Sequence, residues 1–210
     1  MQELVGDLLK KGVLKKSVIE EAFLSIDRKD FVLDEFKDLA YKDHPLNIGN
    51  GQTISQPYTV AFMFDLLDPQ KKDIIMDIGY GSGWTTAMLA YIVGDEGKVI
   101  AVELVPELCR LGEENVLKYP DITKRVEFYC EDATSIVLKR KFNCIIAGAA
   151  AQEKNGIEAV PDIWKKQLKI GGKIVMPIHN SIWLFIKQNE DKFEEYEYPG
   201  FVFVPLISKR

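Results

Sequence analysis

Two hydroxyls and an amide fall within four residues, Gln52-Thr53-Ile54-Ser55, inside the stretch Asp43 to Pro57. That stretch is too polar and too rich in glycine and proline for a core strand or a helix interior. Its side chains are therefore free to hold a polar substrate. A second loop, Asp77-Ile78-Gly79-Tyr80-Gly81-Ser82-Gly83, lies just downstream. Glycines let a backbone turn sharply and approach a ligand closely. Glu103 follows at the end of the next predicted strand, where a carboxylate can accept hydrogen bonds from both hydroxyls of a ribose. Asp132 follows the strand after that. One loop is suited to a substrate, the other to a nucleotide-like cofactor.

The surrounding elements must place these loops together. Two short helices open the chain, the second starting at Ser17, where Ser17-Val18-Ile19-Glu20 reads as a capping box. A helix should follow Pro57, with Gln56 or Ser55 near its cap and Val60, Ala61, Phe64 and Leu67 as its buried stripe. From Lys72 the pattern alternates. Strands are predicted at 73–78, 98–103, 125–130, 142–147 and 173–177, and helices at 84–93, 106–118 and 157–168. Further strands are expected at 181–188 and 200–207. Alternating strands and helices imply a mostly parallel sheet covered on both faces. Glu103 and Asp132 then stand at the carboxyl ends of successive strands, where ligands bind in such folds.

Composition narrows the class. A chain of 210 residues with 47% hydrophobic residues suits one soluble globular domain, 1–210, with helices and substrate loop in 1–57 and the α/β core in 58–210. The formal net charge of -5 argues against nucleic acid as a bulk electrostatic partner. No apolar run reaches the length of a membrane span, and Met1 to Lys11 reads as an amphipathic helix and not a signal peptide. Cys109, Cys130 and Cys144 include no CxxC pair and read as buried reduced thiols of a cytoplasmic protein. His44 and His179 are the only histidines, so no metal site is expected.

The glycine spacing is G-x-G-x-G, with Trp84 where a dinucleotide-binding loop carries its last glycine, and no Lys-Ser/Thr pair follows. It resembles the first motif of Rossmann-like, class I S-adenosylmethionine-dependent methyltransferases. The segment Pro45-Leu46-Asn47-Ile48-Gly49-Asn50-Gly51-Gln52-Thr53-Ile54-Ser55-Gln56-Pro57 resembles the hallmark of protein-L-isoaspartate O-methyltransferases. So do Ala149-Ala150, Gln167 to Gly172, and the late Phe203-Val204-Pro205-Leu206.

The resemblance implies methyl transfer from S-adenosylmethionine to the free carboxylate of L-isoaspartyl or D-aspartyl residues in damaged proteins and peptides. The ester then closes to a succinimide, and S-adenosylhomocysteine is released. Ser55 is implied as the residue that orients the carboxylate, with Thr53, Ile54 and Val204 beside the substrate. Gln52, Thr53, Ile54, Asp77, Gly79, Tyr80, Gly81, Ser82, Gly83, Glu103, Leu104, Asp132 and Ala133 are implied around the cofactor. A monomer is expected, with no nucleic acid or membrane partner. Read from local sequence alone, Ser55 could equally cap the following helix, a contribution of about 1 kcal/mol.

Three departures from the family pattern bear on specificity. Glu131-Asp132-Ala133 lacks both glycines that usually flank the acid. The segment Ala151 to Pro161 is longer and lacks an early proline. Pro177-Ile178-His179 replaces the usual P-V-G. The altered 151–161 segment keeps open a carboxyl methyltransferase with one dedicated aspartate substrate. A non-catalytic adaptor that binds isoaspartate or the cofactor is the remaining reading.

Overall fold

A computed structural model describes residues 1–209. Nine strands and seven α-helices run in the order α1 (Gln2–Lys10), α2 (Ser17–Ser25), β1 (Leu46–Gly49), β2 (Gln52–Ile54), α3 (Pro57–Leu67), β3 (Ile74–Ile78), α4 (Trp84–Val93), β4 (Lys98–Glu103), α5 (Pro106–Leu117), α6 (Pro120–Thr123), β5 (Val126–Cys130), β6 (Phe142–Ala147), α7 (Asp162–Gln167), β7 (Leu168–Ile178), β8 (Ser181–Lys187) and β9 (Phe193–Pro199). Seven strands form one sheet in the order β5-β4-β3-β6-β7-β8-β9. The first four pairings are parallel, and β7-β8 and β8-β9 are antiparallel.

Consecutive strands step outward from β3 to β5, and the chain then returns to β6 on the other side of β3. That reversal opens a crevice beyond the carboxyl ends of β3 and β6. The sheet's two faces carry separate cores because successive strand residues point to opposite sides. Ile75, Val99 and Val175 pack under α1 to α5. Met76, Ile100 and Ile174 pack under Trp164 of α7. Phe201 and Phe203 join the first core and Leu206 the second, so the late segment crosses from one face to the other. It crosses over the strand ends, where Ala150 donates to the Val204 carbonyl at 2.8 Å and Leu206 donates to the Ala150 carbonyl at 2.8 Å. Among the described residues no helix is long and apolar enough to cross a membrane.

Several expectations need correction. The Asp43–Pro57 stretch forms a hairpin, β1-β2, turning at Asn50-Gly51, both with positive φ. An Asn-Gly pair favours that tight turn. Helix α2 starts at Ser17, yet its cap position is Lys16 and no side chain caps it. The last strand is 193–199, not 200–207; residues 200–207 form an extended segment with one bridge, Ala150 to Pro205. The thiols are not all reduced: Cys109 on α5 and Cys130 at the end of β5 form a disulfide, with Cα atoms 5.8 Å apart. The parallel crossover returns β5 beside α5, bringing together cysteines whose separation of 21 residues carries no local signal. Cys144 alone is free, and burial pushes its thiol up to about 12.

Candidate active site

The glycine loop leaves β3 and opens α4. The Gly81 amide donates to Oε2 of Glu103 at 3.0 Å. Oε1 of Glu103 accepts from the amides of Leu104 at 2.7 Å and Val105 at 3.0 Å. The carboxylate thus stands at the end of β4 with its orientation fixed by three amides. A carboxylate offers about four acceptor directions, so Oε2 keeps capacity for a ligand hydroxyl. Gly79, Gly81, Glu103, Leu104, Glu131 and Ala133 line one side of a cleft. Ile48, Gln52 and Thr53 of the hairpin, Gly148 and Ala149 after β6, and Val204 to Ile207 line the other. A glycine-floored cleft with one oriented carboxylate on a largely apolar wall fits a ribose-bearing cofactor such as S-adenosylmethionine.

Five residues expected at the cofactor do not line this cleft and have partners within the scaffold. Asp77 is 2% exposed, and its Oδ2 accepts from the hydroxyls of Thr85 at 2.9 Å and Thr86 at 2.6 Å. Burial pushes its carboxyl up to about 6, against the pull of those two hydroxyls. It fastens β3 to the first turn of α4. Tyr80 turns away, stacks edge-on against Phe128 and donates to the Cys109 carbonyl at 3.1 Å. Ser82 is buried, and its carbonyl accepts from Asn115. Gly83 abuts Gly112 of α5: a Cβ on Gly83 would lie 2.6 Å from the Gly112 carbonyl oxygen. Asp132 binds the Thr134 amide and hydroxyl through Oδ1 and the Lys209 amide through Oδ2. Those partners hold its carboxyl below the usual range despite burial.

A second cleft lies beside the first, lined by Pro45, Thr53, Ser55, Gln56, Thr59, Gly148 and Gly200 to Val204. Ile54, expected here, instead packs into the core at 4% exposure because alternate strand residues face opposite ways. Ser55 is half-buried, and its hydroxyl donates to none of the described residues. Nor does it cap α3. The cap position is Gln56, and Asp43 does the capping from upstream, its Oδ1 accepting from the Tyr58 amide at 2.9 Å. Thr53, Gly148 and Val204 line both clefts, so the two meet there. The 151–161 segment lines neither. It borders a third cleft on the far side of Pro205 and Leu206.

Sequence reading missed Gly148, Asp43, Gly112 and Arg28. Gly148 follows the apolar run Cys144 to Ala147, and a glycine at a parallel strand's carboxyl end marks close backbone approach. A Cβ there would lie 3.1 Å from the Gly79 carbonyl oxygen. Gly112 interrupts a helical pattern, which signals packing. Asp43 and Arg28 act across folds of the chain and have no local signature.

The family model for protein-L-isoaspartate(D-aspartate) O-methyltransferase matches residues 1–210. The chain is 35% identical over 213 residues to a Methanopyrus kandleri protein-L-isoaspartate O-methyltransferase, covering 99% of this chain and 91% of that one. It is 38% identical over 212 residues to the Flavobacterium psychrophilum protein of the same name, covering 99% and 94%. Its fold superimposes with a TM-score of 0.86 on a candidate beta-aspartate methyltransferase from Plasmodium falciparum solved with S-adenosyl-L-homocysteine, at 22% identity and covering 99% and 98% of the two chains. With its whole length matched and its two clefts meeting at Thr53, Gly148 and Val204, the chain belongs to the protein-L-isoaspartate(D-aspartate) O-methyltransferase family.

Proposed function

We propose that this protein methylates the free carboxylate of L-isoaspartyl or D-aspartyl residues in damaged proteins and peptides, using S-adenosylmethionine, and so starts repair through a succinimide. The observation that carries this is the shared wall of Thr53, Gly148 and Val204, which brings a cofactor cleft and a peptide-facing cleft to one point. When bound, S-adenosylmethionine supplies an electrophilic methyl carbon on a positively charged sulfur.

The chain's own task is placement. A carboxylate with a reference pKa of about 3.3 to 4 is ionised at neutral pH and needs no general base. Positioning alone can contribute roughly 7 to 11 kcal/mol. Ser55 orients the substrate carboxylate through its hydroxyl, which has no competing partner among the described residues. Glu103 holds the ribose hydroxyls, with Gly79 and Gly81 giving close backbone approach and Leu104 and Ala133 packing on the base. Val204 and Thr53 border the point where the two clefts meet, on either side of the methyl's path.

Labelled S-adenosylmethionine and two versions of one short peptide test this reading. Transfer to the isoaspartyl version and none to the aspartyl version is expected. Cofactor binding with no transfer to either would overturn it. The 151–161 segment lies outside the second cleft, so nothing in the site favours a single dedicated substrate.

A further inference from the structure

Arg28 is fully buried, and its guanidinium forms no ion pair among the described residues. Burying a cation without a carboxylate is costly unless its donors are matched. Here main-chain carbonyls match both terminal nitrogens, while Nε has no partner among the described residues. Nη1 donates to Ala40 at 2.8 Å and Lys42 at 3.3 Å; Nη2 donates to His44 at 3.0 Å and Ser55 at 3.1 Å. The opposite surface of the group matters as well. Its central carbon lies 5.4 Å from the centre of the Trp84 ring, and Trp84 is the first residue of α4, directly after Gly83. One rigid plane therefore touches the residue proposed to aim the substrate and the helix that begins at the cofactor loop.

We infer that Arg28 is a positioning residue for methyl transfer: it sets the spacing between Ser55 and the glycine loop. The inference rests on the proposed function. Carboxylate oxygen, methyl carbon and sulfur must align, and a misplacement of about 1 Å can cost about 100-fold in rate. Among the described residues, 40–44 carry no hydrogen bond to the glycine loop, and the guanidinium joins their carbonyls to α4 through its cation–π contact with Trp84. A lysine keeps the charge but loses the planar fork, and cannot serve both pairs of carbonyls in fixed geometry. Ser55 then drifts relative to the cofactor cleft, while Glu103 and the glycine loop stay in place.

The test compares wild type, Arg28→Lys and Arg28→Met with Lys187→Met. Lys187 is another buried cation, held by the carbonyls of Lys165 and Leu168 on α7 and β7 and paired with Glu190 at 2.7 Å, away from both clefts. Turnover and KM are measured with an isoaspartyl peptide, and S-adenosylhomocysteine affinity by calorimetry, at a temperature where each variant is folded by circular dichroism. Arg28→Lys is expected to lower kcat at least 10-fold, with S-adenosylhomocysteine affinity within threefold of wild type. Lys187→Met is expected to lose stability and keep kcat. Wild-type kcat in Arg28→Lys overturns the inference, as does a parallel loss of cofactor affinity, which would make the residue a general scaffold part. If Arg28→Met does not fold, Arg28→Lys carries the measurement. Failure of both to fold overturns the inference as well, since the guanidinium would then serve the fold alone. No transfer by wild type overturns the functional reading itself, and this inference with it.

Discussion

The uncommitted hydroxyl of Ser55 is the most direct handle on the chemistry. Ser55→Ala removes an orienting donor and leaves the cofactor cleft intact, so kcat should fall about 10- to 100-fold, with S-adenosylhomocysteine affinity unchanged by calorimetry. Glu103→Gln has the opposite profile. It removes a charged acceptor from the cofactor cleft and weakens the anchor on the Gly81 amide, so S-adenosylhomocysteine should bind about 10- to 100-fold more weakly. Asp77 contributes through pH. Its folded pKa of about 6 lies above the ordinary carboxyl value. Below about pH 4 the group is protonated in both folded and unfolded chains and imposes no penalty. As the pH rises from about 4 to about 6, the unfolded chain ionises this group while the folded state keeps it protonated, and stability is lost until the folded carboxyl also ionises near 6. Urea midpoints of wild type against Asp77→Asn should therefore shift against wild type between about pH 4 and 6, by on the order of 2–3 kcal/mol, and level off above. A flat difference across that range would show that Asp77 does not titrate there. The roles of Asp77 and Ser55 were only half legible in the sequence. Motif position places both beside the site, but their actual partners, Thr85 and Thr86 for one and none for the other, depend on helix phase and on Asp43.

Elements decide how firmly the cofactor cleft is built. Gly83 and Gly112 meet backbone to backbone, and a Cβ on Gly112 would lie 2.6 Å from the Gly81 carbonyl oxygen. Gly112→Ala should therefore lower S-adenosylhomocysteine affinity although residue 112 lines neither the cofactor nor the substrate cleft; unchanged affinity would show that the loop can retreat. The Cys109–Cys130 disulfide ties α5 to the end of β5, on either side of Glu103. A closed loop of this length stabilises by about 3 kcal/mol, so Cys109→Ser with Cys130→Ser should melt roughly 6–12 °C lower. Parallel strands were readable because their apolar runs are continuous, as in 73–78 and 98–103. The edge strand β9 was not. Its Glu194, Glu195, Tyr196 and Glu197 are exposed and offer no apolar face to detect. The neighbouring run 201–207 was read as that strand because it is apolar, yet it spends its apolar residues on two different cores.

At the scale of the molecule, the site is assembled from distant stretches of chain. The hairpin comes from residues 46–54, the carboxylate from 103, and the shared wall from 148 and 204. A chain ending at Pro199 keeps all seven strands of the sheet but lacks Val204 to Ile207, which line the cofactor cleft. It should retain a cooperative melt by circular dichroism while binding S-adenosylhomocysteine at least 10-fold more weakly and transferring no methyl. A mostly parallel sheet with its ligand end at the strands' carboxyl termini follows from the alternating pattern; the strand order that produces this convergence is visible only in the fold. So is the clamp that joins the hairpin side to α4, because it joins one side chain to main-chain oxygens. That choice of partner has its own effect on variation. Lys42 and His44 keep their side chains in solvent and lend Arg28 only carbonyls that nearly every amino acid possesses. In a saturation library screened for activity, positions 42 and 44 should accept broad replacement while position 28 accepts almost none, so the record of this contact is written on one of its sides only.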